Sequence, residues 1–176
     1  MEMTTNPQDA VPESLAAAPS VEKSSESLPV LKFGLPTDEE LPALARLYAA
    51  NLPLSEVEAQ EMLEKLIRLR ERIQVARANG QVLGFVTVEP NGPVRGTAFL
   101  RHLVVKPEYR RRGVGASLLK QAYGMALGMP RKSLLLRVDP SDEGVVTFVR
   151  KAGFMTVGAL SSKKSGKLKL LMSHEL

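Results

Sequence analysis

Three β-rich segments separated by short turns occupy the middle of the chain. The first two, residues 73–77 and 82–88, are joined through Asn79-Gly80, a dipeptide typical of the two-residue β-hairpin. The third segment, residues 97–105, follows a further turn at Asn91-Gly92-Pro93. This order predicts an antiparallel meander at the centre of the fold.

Helical patterns lie on both sides of this meander. Before it, an acidic cluster at residues 37–40 and the capping box Ser55-x-x-Glu58 predict the starts of two helices. The other predicted elements are a strand over 30–34, a helix over 117–127, a buried strand over 134–139, a helix over 142–152 that ends at Gly153, and strands over 154–160 and 167–173. This mixture predicts a single α/β domain of the mixed α+β kind.

The length and composition fit one domain without a disulfide framework. The chain has 176 residues, a length that one hydrophobic core usually serves. Apolar residues make up 44% and charged residues 24%, which excludes collagen-like, wholly disordered and multi-span membrane classes. The chain has no cysteine, and its N-terminus lacks the pattern of a secretory signal, so we expect a cytoplasmic protein without thiolate metal ligands.

Charge is distributed unevenly along the chain. Residues 1–29 contain five acids, one base and several prolines amid Ser, Thr and Ala, which predicts a disordered acidic tail. Because the whole chain carries +5 and the tail −4, the predicted domain at residues 30–176 carries +9. A domain this basic is expected to bind nucleic acid, an acidic membrane surface or a small polyanionic cofactor. Aromatic residues make up only 5%, which disfavours single-stranded nucleic acid.

A glycine-containing loop after the third strand of the meander is the candidate anion site. The run Arg110-Arg111-Arg112-Gly113-Val114-Gly115-Ala116 leads into a helix, whose first backbone N–H groups lack intrahelical partners. Glycine lets the backbone approach an oxyanion closely, and the arginines add positive charge. The P-loop pattern is absent, and a Rossmann fingerprint would need glycine where Leu118 stands. The preceding helices and meander also argue against a dinucleotide-binding fold.

The residues around this loop resemble a known family. Residues 103–116 are similar to the coenzyme-binding motif of the GNAT N-acetyltransferases, Arg/Gln-x-x-Gly-x-Gly/Ala after a β-strand, and residues 138–154 are similar to their second motif. The resemblance covers residues 30–176 and implies a mostly antiparallel, centrally splayed sheet flanked by helices on both faces. It also implies acetyl-CoA, or another acyl-CoA, as the donor. The coenzyme-binding residues that it implies are Leu103, Val104, Val105, Arg110, Arg111, Arg112, Gly113, Val114, Gly115, Ala116 and Asp142.

The resemblance further implies direct attack of a neutral amine on the thioester, with the Leu103 N–H stabilising the oxyanion. Because an alkyl amine has a pKa of about 10.4, a base or a water relay is expected. Family members place the base at the positions of Phe99 and Arg101, which cannot serve. His102 and Glu89 are the candidate bases here, although strand alternation directs His102 to the opposite face unless a bulge intervenes. Arg101, if it faces the cleft, is expected to hold an acidic group on the acceptor.

The general acid of the family is also replaced. Many relatives carry a tyrosine four residues before the Gly-Phe pair to protonate the departing thiolate, and this chain has Val149 there. The asparagine often found seven residues earlier is replaced by Asp142, and Tyr109, Tyr123 and Ser141 are alternative acids. These changes leave two functions open. One is an N-acetyltransferase acting on a small-molecule or protein amine, and the other is a catalytically weak acyl-CoA-binding sensor or interaction module.

The acceptor amine is not identified by the sequence. It depends on the first two helices and on residues 89–97 and 161–166, whose composition points to no particular substrate. Lysines 163, 164, 167 and 169 offer a third interpretation, nucleic-acid binding, but such runs are usually solvated hairpin tips. We therefore expect no nucleic acid, no membrane and no metal ion, and the sequence leaves room for a homodimer.

Overall fold

The computed structural model describes residues 30–176 except 53, 69–71 and 162–165. The tail predicted for residues 1–29 and two lysines of the predicted hairpin tip, 163 and 164, lie outside the described residues. In chain order the elements are β1 (Lys32–Gly34), α1 (Leu41–Ala49), α2 (Glu56–Arg68), β2 (Arg72–Ala78), β3 (Gln81–Glu89), β4 (Thr97–Val105), α3 (Val114–Leu127), β5 (Ser133–Val138), α4 (Glu143–Lys151), β6 (Met155–Ser161) and β7 (Leu168–Glu175).

In the described part of the chain, seven strands form one mixed sheet in the order β1-β2-β3-β4-β5-β7-β6. Among these strands β4 and β5 pair in parallel, and the other neighbours pair antiparallel. The predicted hairpin is present, with the positive φ values of 49° at Asn79 and 74° at Gly80 that its turn requires. Pairing between β4 and β5 covers only Thr97–Leu100 against Ser133–Leu136, so the two strands separate beyond it. The centrally splayed, mostly antiparallel sheet is therefore confirmed.

Helices cover both faces of the sheet. On one face, α1 and α2 bury residues spaced three and four apart, such as Leu44 and Tyr48, against Phe85 of β3. On the other face, α3 and α4 bury residues such as Leu118 and Val149. Each fully buried large apolar side chain contributes about 1.5–3 kcal/mol, which fixes both helix pairs on the sheet. None of the helices in the described part of the chain combines the length and apolar character that crossing a bilayer requires.

Helix α3 begins at Val114, so the predicted start at Ser117 is wrong. Gly113 has a φ of 86°, a left-handed conformation that glycine adopts without strain, and it turns the chain directly into the helix. Val114 and Leu118 then lie one helical turn apart, and both are fully buried. The Ser117 N–H donates the first intrahelical hydrogen bond, to the Gly113 carbonyl at 3.0 Å. The end of the predicted loop is therefore the first turn of the helix.

Candidate active site

A cleft of about 340 Å³ lies where β4 and β5 separate, and its walls come from both faces of the sheet. The side chains on the α3–α4 face are Leu100, Leu103, Leu119, Leu136, Val138, Val145, Phe148 and Val149. The side chains on the α1–α2 face are Tyr48, Asn51, Leu52, Arg101, His102, Val104 and Arg137. Because the cleft connects the two faces, two reactants can meet in it from opposite sides.

The peptide groups of Leu103 and Val105 point away from β3, toward the side on which β5 has separated from β4. The Lys106 N–H donates to the Leu83 carbonyl at 2.8 Å, which fixes the direction of each peptide of β4 relative to β3. Paired residues of antiparallel strands alternate between hydrogen-bonded and non-hydrogen-bonded positions. Leu103 and Val105 occupy the second kind, so their N–H and C=O groups point toward β5, beyond the end of its pairing with β4. The Leu103 N–H is therefore available to a ligand.

The candidate anion cradle, formed by the N–H groups of residues 114–116, adjoins the cleft at the start of α3. The N–H groups of residues 114–116 precede Ser117, the first intrahelical donor, so they have no acceptor within the helix. An atom added to the Gly115 Cα would lie 3.8 Å from the Leu103 and Phe148 side chains, which both line the cleft. Cradle and cleft are therefore continuous.

The three arginines ahead of α3 take different positions. Arg110 turns toward the end of α1, where its guanidinium donates to Asn51 Oδ1, while its Nε donates to the Val105 carbonyl at 3.2 Å. Arg111 has a positive φ of 60°, and both Arg111 and Arg112 are exposed. Arg110 thus joins the cradle to the loop between α1 and α2, a contact that the sequence did not predict.

A β-bulge in β4 determines where His102 lies. Thr87 of β3 pairs with His102, but the next residue of β3 pairs with Leu100. Arg101 is therefore the extra residue of the bulge. The bulge cancels one step of the strand alternation, so His102 and Arg101 both lie on the α1–α2 face. The sequence made this outcome conditional on a bulge, and the bulge is present.

His102 has a hydrogen-bond partner at each ring nitrogen. Its Nε2 lies 2.6 Å from the Tyr48 Oη of α1, and its Nδ1 lies 3.0 Å from the Thr87 Oγ1. Burial, assisted by the charge of Arg101, lowers the pKa of His102 from its ordinary 6.5 to about 4. The imidazole is therefore neutral near pH 7. With a proton on Nδ1 donated to Thr87, the Nε2 accepts a hydrogen bond from the Tyr48 hydroxyl.

Glu89, the second candidate base, pairs with Arg101. The two side chains form an ion pair at the rim of the α1–α2 face, and Arg101 lines the cleft whereas Glu89 does not. The Glu89 carboxylate thus neutralises a cation beside the cleft. Within the described ranges, no group of three or more His, Cys, Asp or Glu side chains is placed to hold a metal ion.

Helix α4 places Val149 in the wall of the cleft and Asp142 at its own N-terminus. The Asp142 carboxylate accepts the Val145 N–H at 3.0 Å and so caps the helix. Val149 is 4% exposed and presents only methyl groups to the cleft. The alternative acids that do not line the described part of the cleft are Tyr109, Tyr123 and Ser141.

The sequence reasoning missed Tyr48 and Arg137 as residues of this site. The apolar spacing of the first helix marks Tyr48 only as an inward-packing residue, although a buried phenol hydroxyl needs a hydrogen-bond partner. Arg137 lies in a strand that was predicted to be buried. A lone charged residue in such an apolar run was the available signal, since arginine is seldom buried without a function or a partner.

The split sheet and the cleft through it define the fold class of the protein, a mixed α/β domain whose site lies between two separating central strands. The chain belongs to the acetyltransferase (GNAT) family, whose model matches residues 41–154. The family named from the two sequence motifs is thereby confirmed. Members are acyltransferase enzymes, and an acyl-CoA is their co-substrate.

Individual proteins share part of the sequence or the fold of this chain. An uncharacterized N-acetyltransferase of Methanocaldococcus jannaschii is 30% identical over 84 residues, which are 46% of this chain and 37% of that protein. The chain thus matches little more than a third of the length of this curated relative. Ard1 from Thermoplasma volcanium has a TM-score of 0.72 at 20% identity, covering 83% of this chain and 97% of its own. The structure of yncA from Salmonella typhimurium with its cofactor acetyl-CoA has a TM-score of 0.68 at 13% identity, covering 84% and 94%.

The lowered pKa of His102 makes the stability of the fold depend on pH. Between its ordinary pKa of 6.5 and about 4, the unfolded chain binds a proton on this ring and the folded chain does not. The free energy of unfolding should therefore fall as the pH drops through that window, by up to about 3 kcal/mol. Denaturant unfolding at several pH values should show this slope in the wild type and a flatter one in His102→Gln.

The control for this measurement is His174→Gln, which changes the other histidine by the same substitution and should keep the slope. Glu40 does not obscure the result. The Arg77 hydrogen bond lowers the pKa of Glu40 from its ordinary 4.5 to about 2. The contribution of Glu40 to the free energy of unfolding is therefore lost only below about pH 4.5, at more acidic pH than most of the His102 window. An equal slope in His102→Gln and the wild type would contradict the assignment to His102.

Proposed function

We propose that the protein transfers an acetyl group from acetyl-CoA to the nitrogen of an amine. The observation that carries the proposal is the Leu103 N–H, which points away from β3 at the edge of a cleft that joins the candidate anion cradle on one face to His102 on the other. The donor would enter from the α3–α4 face. The acceptor would enter from the α1–α2 face.

The donor would be held mainly by main-chain groups. The N–H groups from Arg112 to Ala116 would bind the diphosphate, where the start of α3 favours negative charge. The peptides of Leu103 and Val105, which point toward β5 beyond its pairing with β4, would bind the amide groups of the pantetheine arm. Arg111 and Arg112 are exposed beside the cradle and would add attraction for the phosphates. Asp142 would contribute indirectly, because it caps α4 and so fixes the start of that helix beside the coenzyme.

The reaction would proceed by direct attack of the neutral amine on the thioester carbon. The carbonyl oxygen gains negative charge as the C–N bond forms, and the Leu103 N–H would stabilise that charge. The attacking nitrogen then carries an extra proton. The Tyr48 hydroxyl would accept this proton while passing its own to His102 Nε2, 2.6 Å away. His102 suits a proton transfer that follows the attack. Its low pKa makes it too weak a base to deprotonate a free alkylammonium ion before the attack.

Collapse of the intermediate would release the thiolate without a side-chain acid. Val149 has no proton to donate, but a thiol of pKa about 8.5 leaves tolerably as its anion near neutral pH. A general acid is typically worth about 10²–10⁴-fold, so we expect turnover slower than in relatives that keep the tyrosine. The valine at position 149 also motivates the alternative function, a coenzyme-binding module with little catalysis.

Thiol release from acetyl-CoA in the presence of an amine panel tests the proposal. Amine-dependent release, with the N-acetylated product detected by mass spectrometry, would support acetyl transfer. Tight coenzyme binding without release on any amine would favour the coenzyme-binding module. The predictions of a homodimer and of a cytoplasmic location are independent of this result.

A further inference from the structure

Arg137 is a cation at the acceptor side of the cleft that has no acidic partner among the described residues. Leu100 and Leu136 are the last residues that β4 and β5 pair, so Arg101 and Arg137 stand next to one another at the point of separation. Arg101 forms an ion pair with Glu89. Within the described part of the chain, Arg137 makes neither an ion pair nor a hydrogen bond to a side chain or to the backbone.

Arg137 is nevertheless held in place. Its guanidinium carbon lies 5.1 Å from the centroid of the Phe99 ring, a cation–π contact. Phe99 itself is buried against Leu135 and Leu171 on the α1–α2 face of the sheet. The guanidinium is therefore oriented against a rigid surface while its N–H groups remain free to bind an anion.

The surroundings of Arg137 favour negative ligands. Arg137 lines both the cleft and a second recess of about 210 Å³, formed with Asp139, Leu160, Ser161 and Lys169. No carboxylate lines the described part of the cleft. Among the described residues that line the recess, Asp139 is the one with a carboxylate, which lies 2.6 Å from Lys169 Nζ and is neutralised by it. A polyamine or a lysine-rich peptide would therefore meet uncompensated positive charge at this side.

We infer that the acceptor amine carries a carboxylate that Arg137 binds, an inference that rests on the proposed acetyl transfer and adds a substrate class to it. A planar guanidinium binds a carboxylate through two parallel hydrogen bonds. Arg137 stands beside Arg101, and Leu103 lies two residues, or about 7 Å, further along β4. A small amino acid can therefore span from a thioester at Leu103 to Arg137. The carboxylate belongs either to a free amino acid or to an acidic residue near a peptide N-terminus.

Binding of product analogues to the protein saturated with CoA tests this inference independently of turnover. N-acetylglycine, N-acetylalanine and N-acetylphenylalanine are titrated calorimetrically beside their C-terminal amides. A second arm compares the amidated dipeptides N-acetyl-Ala-Asp and N-acetyl-Ala-Asn. In at least one arm the carboxylate ligand should bind about tenfold or more tightly, as expected for a hydrogen bond to a charged group. The arm that shows the preference identifies the source of the carboxylate.

Variants of Arg137 decide whether this residue is responsible. Arg137→Gln should remove the preference for the carboxylate ligand, and Arg137→Lys should keep part of it. Arg150→Gln, which removes an exposed arginine of α4 that lines neither the cleft nor the recess, is the charge-matched control and should keep it whole. Equal binding of carboxylates and amides by the wild type, or a preference that survives Arg137→Gln, would overturn the inference.

The two proposals fail in different ways. If no amine supports thiol release but the carboxylate preference depends on Arg137, acetyl transfer is refuted and the anion site stands. If amines are acetylated without any such preference, the transfer stands and the assignment of Arg137 is refuted.

Discussion

Replacing Gly115 with valine should weaken coenzyme A binding by roughly a hundredfold or more while leaving the chain folded. The valine side chain would displace the phosphates from the N–H groups at the start of α3, and hydrogen bonds to a charged group would be lost. A Cβ at this position would lie 3.8 Å from side chains of Leu103, Val105 and Phe148, which is ordinary van der Waals contact. The fold therefore has room for the first carbon. The two further methyl groups of valine would extend into the gap between β4 and α4, which the proposed binding mode of the coenzyme occupies.

Gly124→Val is the matched control, since it places the same side chain on the same helix. A Cβ at Gly124 meets nothing within 4 Å, so this variant should bind coenzyme A like the wild type. Glycine is a poor helix former, and neither substitution should destabilise α3 through backbone propensity. Gly113 is a less suitable target because its φ of 86° would strain any other residue and disturb the loop itself.

Calorimetric titration with coenzyme A and thermal unfolding of all three proteins give the result. Unchanged binding by a folded Gly115→Val protein would show that the coenzyme does not lie between β4 and the start of α3. Unfolding of Gly115→Val alone would instead mean that the valine clashes with the core. Gly115→Ala, whose single added carbon fits, then replaces it in the same titration.

Local chemistry made much of this fold predictable. Asn79-Gly80 allows the two positive φ values of a tight hairpin, and the Ser55 and Glu58 pair forms the predicted capping box with hydrogen bonds of 3.3 Å and 2.8 Å. Gly153 follows α4 with a φ of 89°, as a glycine at a helix end often does. Each of these signals acts within a few residues, which is why the boundaries of most elements followed from the sequence.

The arrangement of the candidate site depends on contacts that no local pattern records. Tyr48 and His102 are 54 residues apart, and their hydrogen bond exists only because α1 packs across β4. The extra residue of the bulge, Arg101, carries no distinctive sequence mark, since a bulge is defined by the pairing of two strands. The orientation of Arg110 toward Asn51 likewise depends on where the end of α1 lies. The sequence predicts which residue types lie near the site. It does not predict on which face of the sheet each of their side chains lies.

His102→Gln should lower kcat by about 10²–10⁴-fold, the usual value of a positioned base, while leaving coenzyme A binding unchanged. Tyr48→Phe should cause a similar loss, because it removes the hydroxyl that lies between the reacting nitrogen and His102 Nε2 in the proposed relay. If the two groups act as one relay, the double variant should be little slower than either single variant, since residues that act as a unit are not additive.

The pH profile separates this role from a structural one. The pKa of His102 is lowered to about 4, so its ring is neutral across the working range and its titration does not set the activity there. The acid limb of kcat/KM should instead follow deprotonation of the acceptor amine, whose pKa is higher. His102→Gln should therefore lower the plateau without moving that limb, and His174→Gln should change neither. If Glu89→Gln causes the loss and His102→Gln does not, the carboxylate paired with Arg101 is the base and the relay through Tyr48 is refuted.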